Sequence, residues 1–149
     1  MFGIFIESKA IINNGEQVLP ASIIIDDFKE SMHIPLSYWN VSDYKKNWIL
    51  SLEQGICDGK HAALVVSMYR PEVTNFVFAW VLYFEGSQVF VQNNVIFLDK
   101  CNEFSPDKIN DFIDARTTYD EDGIKISEWN TDIENVISFF ECLKDEMDQ

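Results

Sequence analysis

HAALVVSMY (residues 61–69), NFVFAWVLYFE (75–85) and QVFVQNNVIFL (88–98) are the runs that decide the fold. Each is long, β-branched and aromatic. A turn at Pro71 joins the first pair, and Gly86-Ser87, a two-residue link of the kind tight hairpins use, joins the second. Together they read as an antiparallel β-meander. In the middle run Phe76, Phe78, Trp80, Leu82 and Phe84 alternate with Val77, Ala79, Val81 and Tyr83, so both faces of the sheet are apolar and each needs a cover. Helices on either side are the expected lids.

Upstream, residues 2–6 and 17–25 read as an opening pair of strands around the Asn13-Asn14-Gly15 turn signal, the second ending in Ser22-Ile23-Ile24-Ile25. Residues 26–37 look irregular, with Pro35 opposing a helix. Ser42 is the expected cap of a helix over 43–54, whose Tyr44, Trp48 and Leu52 recur every four residues and whose stop is Gly55.

Downstream, Ser105 and Pro106 predict a helix reaching Arg116. At about 100° per residue Asp107, Asp111 and Asp114 fall within one sector of about 80°, opposite Ile109, Phe112 and Ile113. Asp120-Glu121-Asp122-Gly123 is a turn leading to a short strand over 124–129. Thr131-Asp132-Ile133-Glu134 has the form of a capping box opening a last helix that buries Ile133, Val136, Ile137, Phe140 and Leu143. The expected architecture is α+β, with one domain over residues 1–149 and an order near ββ-α-βββ-α-β-α: an antiparallel meander packed by about three helices.

Charge is the strongest functional signal. Against 11 basic residues stand 25 acidic ones, a net −14, and the distribution is uneven: residues 1–70 carry −2 and residues 71–149 carry −12. Such a half repels phosphate backbones and attracts basic surfaces, which disfavours nucleic-acid binding. The opening MFGIFIESKAIINNGEQ lacks the basic start and cleavage site of a secretory signal, and no stretch nears the ~20 apolar residues of a membrane span, so a cytoplasmic protein is expected. Three widely spaced cysteines, Cys57, Cys101 and Cys142, fit reduced structural thiols.

Catalytic signatures are missing: there is no GxSxG elbow, phosphate loop, HExxH or CxxC. His33 and His61 sit in unrelated contexts, and the Asp120–Asp122 run lacks the later ligands of a calcium loop. No cofactor and no metal are expected. The reading is a binding protein whose partner surface comprises Asp107, Asp111, Asp114, Asp120, Glu121 and Asp122, with Trp129 as an aromatic anchor. Two rivals are a small-molecule enzyme using His61 or a buried carboxylate, and a single-stranded nucleic-acid binder.

The strings MFGIF (1–5), IPLSYW (34–39), DYKKNW (43–48), SMYRPEVTNFVFAWVLYFE (67–85), VQNNVIFL (91–98) and FIDARTTYDEDGIKISEWNTD (112–132) span nearly the whole chain. In them it resembles the CdiI immunity proteins of contact-dependent growth inhibition systems, of the Enterobacter cloacae type. The resemblance implies a Whirly-like fold and a cytoplasmic antitoxin that neutralises the C-terminal toxin domain of a cognate CdiA, in a 1:1 complex. It also implies that the toxin is a colicin-like ribonuclease cutting ribosomal RNA. A basic nuclease and an acidic inhibitor are complementary in charge.

Overall fold

Asn14 and Gly15 both adopt positive φ (53° and 77°), the conformation a two-residue hairpin turn requires. Here they join β2 (Ile11–Asn13) to β3 (Glu16–Ile25). The computed structural model describes residues 1–70, 72–98 and 104–148; the expected Pro71 turn and Cys101 lie outside them. β1 (Phe2–Ile6) pairs antiparallel with the second half of β3, Phe2 opposite Ile25 and Ile6 opposite Ala21. The opening strand pair is therefore present, with β2 added at its turn.

Residues 26–37 are not irregular. A turn at Asp26 (φ 54°) and Asp27 sends the chain into β4 (Phe28–Pro35), which pairs along β3 from Ile25–Phe28 to Val18–Pro35. Pro35 is tolerated because it falls at the last position of the strand. These four strands make one sheet.

The first helix, α1, runs Val41–Asp58, longer at both ends than the sequence suggested. Its cap is Asn40 rather than Ser42. Asn40 Oδ1 accepts from the Asp43 N–H (2.9 Å) and Asp43 Oδ2 accepts from the Asn40 N–H (3.0 Å), a reciprocal box that satisfies two amides at the helix start. Gly59, left-handed at φ 67°, ends it. Gly55 is instead where α1 touches the sheet: a Cβ there would lie 2.4 Å from the His61 carbonyl oxygen and 2.8 Å from Ala62 Cβ.

The meander forms as read. β5 (His61–Ser67), β6 (Phe76–Glu85) and β7 (Gln88–Phe97) lie side by side, and β8 (Trp129–Asp132) adds to β7, giving the order β5-β6-β7-β8. The short strand is shifted from 124–129; the upstream part contributes only a bridge between Tyr119 and Lys125. α1 closes the free edge of β5 with side chains. Trp48 Nε1 donates to the Val65 carbonyl (2.7 Å), and the Ala63 N–H donates to Ser51 Oγ (3.0 Å), so backbone groups without a partner strand are satisfied.

The last helix, α2, is Ile133–Met147, and its expected Thr131 capping box does not form. Thr131 is buried in β8, where its hydroxyl donates to Asp26 Oδ1 (3.1 Å) and accepts from Asn135 Nδ2 (3.0 Å). Asp132 takes the cap position without a side-chain cap bond. Val136, Phe139, Phe140 and Leu143 face the core; Ile137 faces outward.

One apolar core unites both sheets and both α-helices. Phe139 of α2 meets Phe2 edge-on (5.6 Å between centroids) and lies 6.5 Å from Trp48. Trp48 and Trp80 are fully buried, each contributing upward of about 2 kcal/mol by area alone. Helices are not the lids on both faces, however. The inner face of the meander packs against the first sheet, Phe28 of β4 stacking on Trp129 of β8. Irregular chain following Phe104 crosses the outer face. Cys57 and Cys142 are free thiols, as read from the sequence, and both are exposed.

Candidate functional site

The outer lid begins as a 3-10 helix, Pro106–Phe112, not an α-helix to Arg116. Lys108 leaves helical geometry (φ −117°, ψ 28°) and Ile113 is extended. Asn110 explains the departure, because its side chain is bound to other elements. Its Oδ1 accepts from Ser51 Oγ (2.9 Å) and from the Ala63 N–H (2.9 Å), while Nδ2 donates to the Ser51 carbonyl (3.0 Å). Ile109 plugs into the core beside it. Those anchors fix the start of the lid to α1 and β5.

With the helix gone, the acidic stripe predicted for it separates. Asp107 lies beside Trp39, Asp43, Lys46, Asn47 and Leu50 of the α1 region. Asp111 and Asp114 border a groove of ≈ 490 Å³ whose walls include Tyr83, Gln92, Asn94, Thr117 and Ile126. Asp120, Glu121 and Asp122 occupy a separate exposed turn. Asp120 Oδ1 builds that turn, accepting from the Asp122 and Ile124 N–H groups (2.9 Å each), and Gly123 completes it at φ 77°. All six carboxylates are on exposed residues.

Trp129 is not an exposed anchor next to the turn. Its half-buried ring stacks on Phe28 (4.3 Å, 27°) and lies 5.8 Å from Trp80, in the seam between the sheets.

Three contacts tie the second half of the lid to the meander. Tyr83 Oη donates to the Asp114 carbonyl (3.3 Å), and burial raises its pKa. Gln92, buried in mid-strand, donates through Nε2 to the Thr117 carbonyl (2.9 Å) and to Glu128 Oε2 (2.8 Å). Arg116 grips Glu128 with both arms of its guanidinium, reaches Glu85 Oε2 (3.3 Å) and covers the Phe90 ring (3.9 Å). The hydrogen bond from Arg116 is the main reason Glu128 is held below the usual carboxylate range, against the opposing effect of burial.

Sequence reasoning had singled out neither Gln92 nor Arg116. Each left a signal: Gln92 interrupts an apolar strand on the side shared by Phe90, and Arg116 is a base within the acidic half.

The enzyme reading gains little from this arrangement. His61 Nε2 donates to the Asn110 carbonyl (2.7 Å), which fixes its tautomer and occupies that nitrogen, and His33 Nδ1 accepts from Asn13 Nδ2 (3.2 Å) far along the other sheet. Among the described residues no group of three or more His, Cys, Asp or Glu side chains could hold a metal ion. No helix among them is long and apolar enough to cross a membrane.

An acidic lid is thus pinned across the outer face of an antiparallel meander. The chain belongs to the CdiI N-terminal domain family, whose model matches residues 34–139. It is 55% identical over 143 residues to the immunity protein CdiI of Enterobacter cloacae subsp. cloacae, covering 96% of this chain and 99% of that protein. Among solved structures it is similar to a chain of the CdiA-CT/CdiI toxin and immunity complex from Enterobacter cloacae. That match has a TM-score of 0.93 at 54% identity over 97% of this chain and 99% of that one.

Proposed function

We propose that this chain is an immunity protein that binds and neutralises the C-terminal toxin domain of a cognate CdiA, one to one, in the cytoplasm. The observation that carries the reading is the near full-length match, at 54% identity, to a chain solved in a toxin and immunity complex. It acts by binding rather than by turnover.

The finer proposal concerns the target. The net −12 of residues 71–149 suits a basic toxin surface, as a nuclease that holds ribosomal RNA must present. Asp107, Asp111, Asp114, Asp120, Glu121 and Asp122 form the acidic display, with Trp129 holding the seam between the sheets. Covering the RNA-binding surface would inhibit the enzyme without any group entering its reaction centre.

The test pairs growth with binding. Cells expressing the cognate CdiA toxin domain should survive only when this chain is co-expressed, and the purified proteins should elute as one 1:1 complex. Absence of protection together with absence of complex would overturn the reading. Protection from a toxin that leaves ribosomal RNA intact would overturn only the nuclease assignment.

A further inference from the structure

The groove between the lid and the outer face of the meander has an unusual chemical bias. Its lining includes Asp111 and Asp114, and no lysine or arginine lines it among the described residues. Neither carboxylate has a hydrogen-bond or ion-pair partner among those residues. The polar part of the wall comprises Tyr83, Asn94, Thr117 and Gln92, the last only 2% exposed. Its amide orientation is fixed, because Nε2 donates to two acceptors, the Thr117 carbonyl and Glu128 Oε2. That leaves Gln92 Oε1 as an acceptor with no donor among the described residues, on a side chain too buried to turn freely. Ile96, on the same face of β7 as Gln92, and Phe112 add apolar wall.

We infer that this groove is a socket for one arginine side chain of the CdiA toxin domain, its guanidinium donating to Asp111, Asp114 and Gln92 and its methylene stem lying on the apolar wall. The inference rests on the immunity reading and adds a position to it. A guanidinium offers five N–H donors in a planar fork and no acceptor, which matches two unpartnered acids and an open amide oxygen with no cation beside them. A lysine would supply one point charge and leave part of the acceptor set unsatisfied. The same chemistry separates this groove from the Asp120–Asp122 turn. Charges on the open turn can steer encounter, whereas a desolvated bidentate contact in a groove holds the complex once formed.

The experiment measures association and dissociation rates of the full-length chain with the cognate CdiA toxin domain. In the double variant Asp111→Asn, Asp114→Asn, dissociation should quicken by roughly tenfold or more while association changes by about twofold at most. A second variant, Asn94→Arg, sets a guanidinium of the chain's own in the groove and should weaken binding similarly while the protein melts as the wild type does. Alanine scanning of the toxin's arginines should find one whose loss matches the double variant and adds nothing to it. Unchanged dissociation in the double variant, or an effect confined to association, would sink the socket and leave the immunity role standing. Failure of the unmodified chain to bind the toxin domain would remove both.

Discussion

Arg116 and Glu128 close a loop of the lid on itself: the guanidinium Nε donates to Glu128 Oε2 at 2.7 Å while Nη2 engages Oε1, a fork-on-fork pair with Gln92 bound to the same carboxylate. The chain between them contains the Asp120–Asp122 turn, so this pair determines where the acidic turn stands. Side-chain exposures of 23% and 15% put the pair between the surface and interior regimes. Replacing Arg116 by Met should therefore cost about 1–3 kcal/mol in urea unfolding, more than an exposed ion pair gives.

The same contact predicts a pH dependence. Arg116 lowers the Glu128 pKa, so its stabilisation is fully present above the ordinary glutamate value of about 4.3 and is lost as pH falls through the lower folded-state value. Glu128→Gln should flatten that part of the stability profile. The measurement is the difference between wild-type and variant unfolding free energies from pH 7 down to 3. A difference that stayed constant would show that the Arg116 contact does not set this titration.

Gly55→Ala sets two effects against each other. Alanine favours helix by about 1 kcal/mol, but its Cβ would sit 2.4 Å from the His61 carbonyl oxygen, a backbone atom of β5. The contact has no flexible side chain to yield, so α1 must lift from the strand whose edge it covers. Overpacking should win, with a net loss of about 1–3 kcal/mol and a lower thermal midpoint. A midpoint at or above wild type would mean that α1 shifts freely on β5.

Tyr44 links three elements through one hydroxyl. Its Oη donates to the Pro35 carbonyl (2.7 Å) and accepts from the Met68 N–H (2.9 Å), and burial drives its pKa well above the usual tyrosine value. Tyr44→Phe keeps the ring but leaves a buried carbonyl and a buried amide unpaired, at a cost of about 1–3 kcal/mol. Hydrogen exchange at the Met68 amide should accelerate in the variant; unchanged exchange would show that another acceptor protects it.

These residues show what a sequence can and cannot carry. The meander was legible because alternation along 75–85 and the Gly86-Ser87 link act locally. Gly55 looked like a helix stop because glycine usually is one; its use as a point of close approach depends on β5, which lies elsewhere in the chain until the fold forms. Likewise Thr131 matches a cap by spacing, yet burial against Asp26 outweighs that role. The acidic stripe was the largest misreading. Helical periodicity placed Asp107, Asp111 and Asp114 together, whereas the tertiary hydrogen bonds of Asn110 break the helix and send Asp107 toward α1. Charge itself was legible, because it needs no geometry. The acceptors that give the groove its shape were not, because Gln92 acquires its role only when the lid arrives.

The turn supplies the last prediction, which concerns association with the toxin domain. Glu121 and Asp122 are exposed and their carboxylates hold no partner among the described residues, whereas Asp120 Oδ1 shapes the turn itself. Reversing only Glu121 and Asp122 to Lys therefore alters charge without dismantling the loop. If the turn steers a basic partner, association at low salt should slow by roughly three- to tenfold with dissociation little changed. The difference should shrink as salt is raised, because the screening length falls from about 10 Å at 0.1 M to about 3 Å at 1 M. Asp120→Lys, by contrast, should disturb the turn at every salt concentration. Stopped-flow association rates across that range separate the two effects. A rate for the Glu121, Asp122 variant equal to wild type at low salt would take the turn out of the encounter surface.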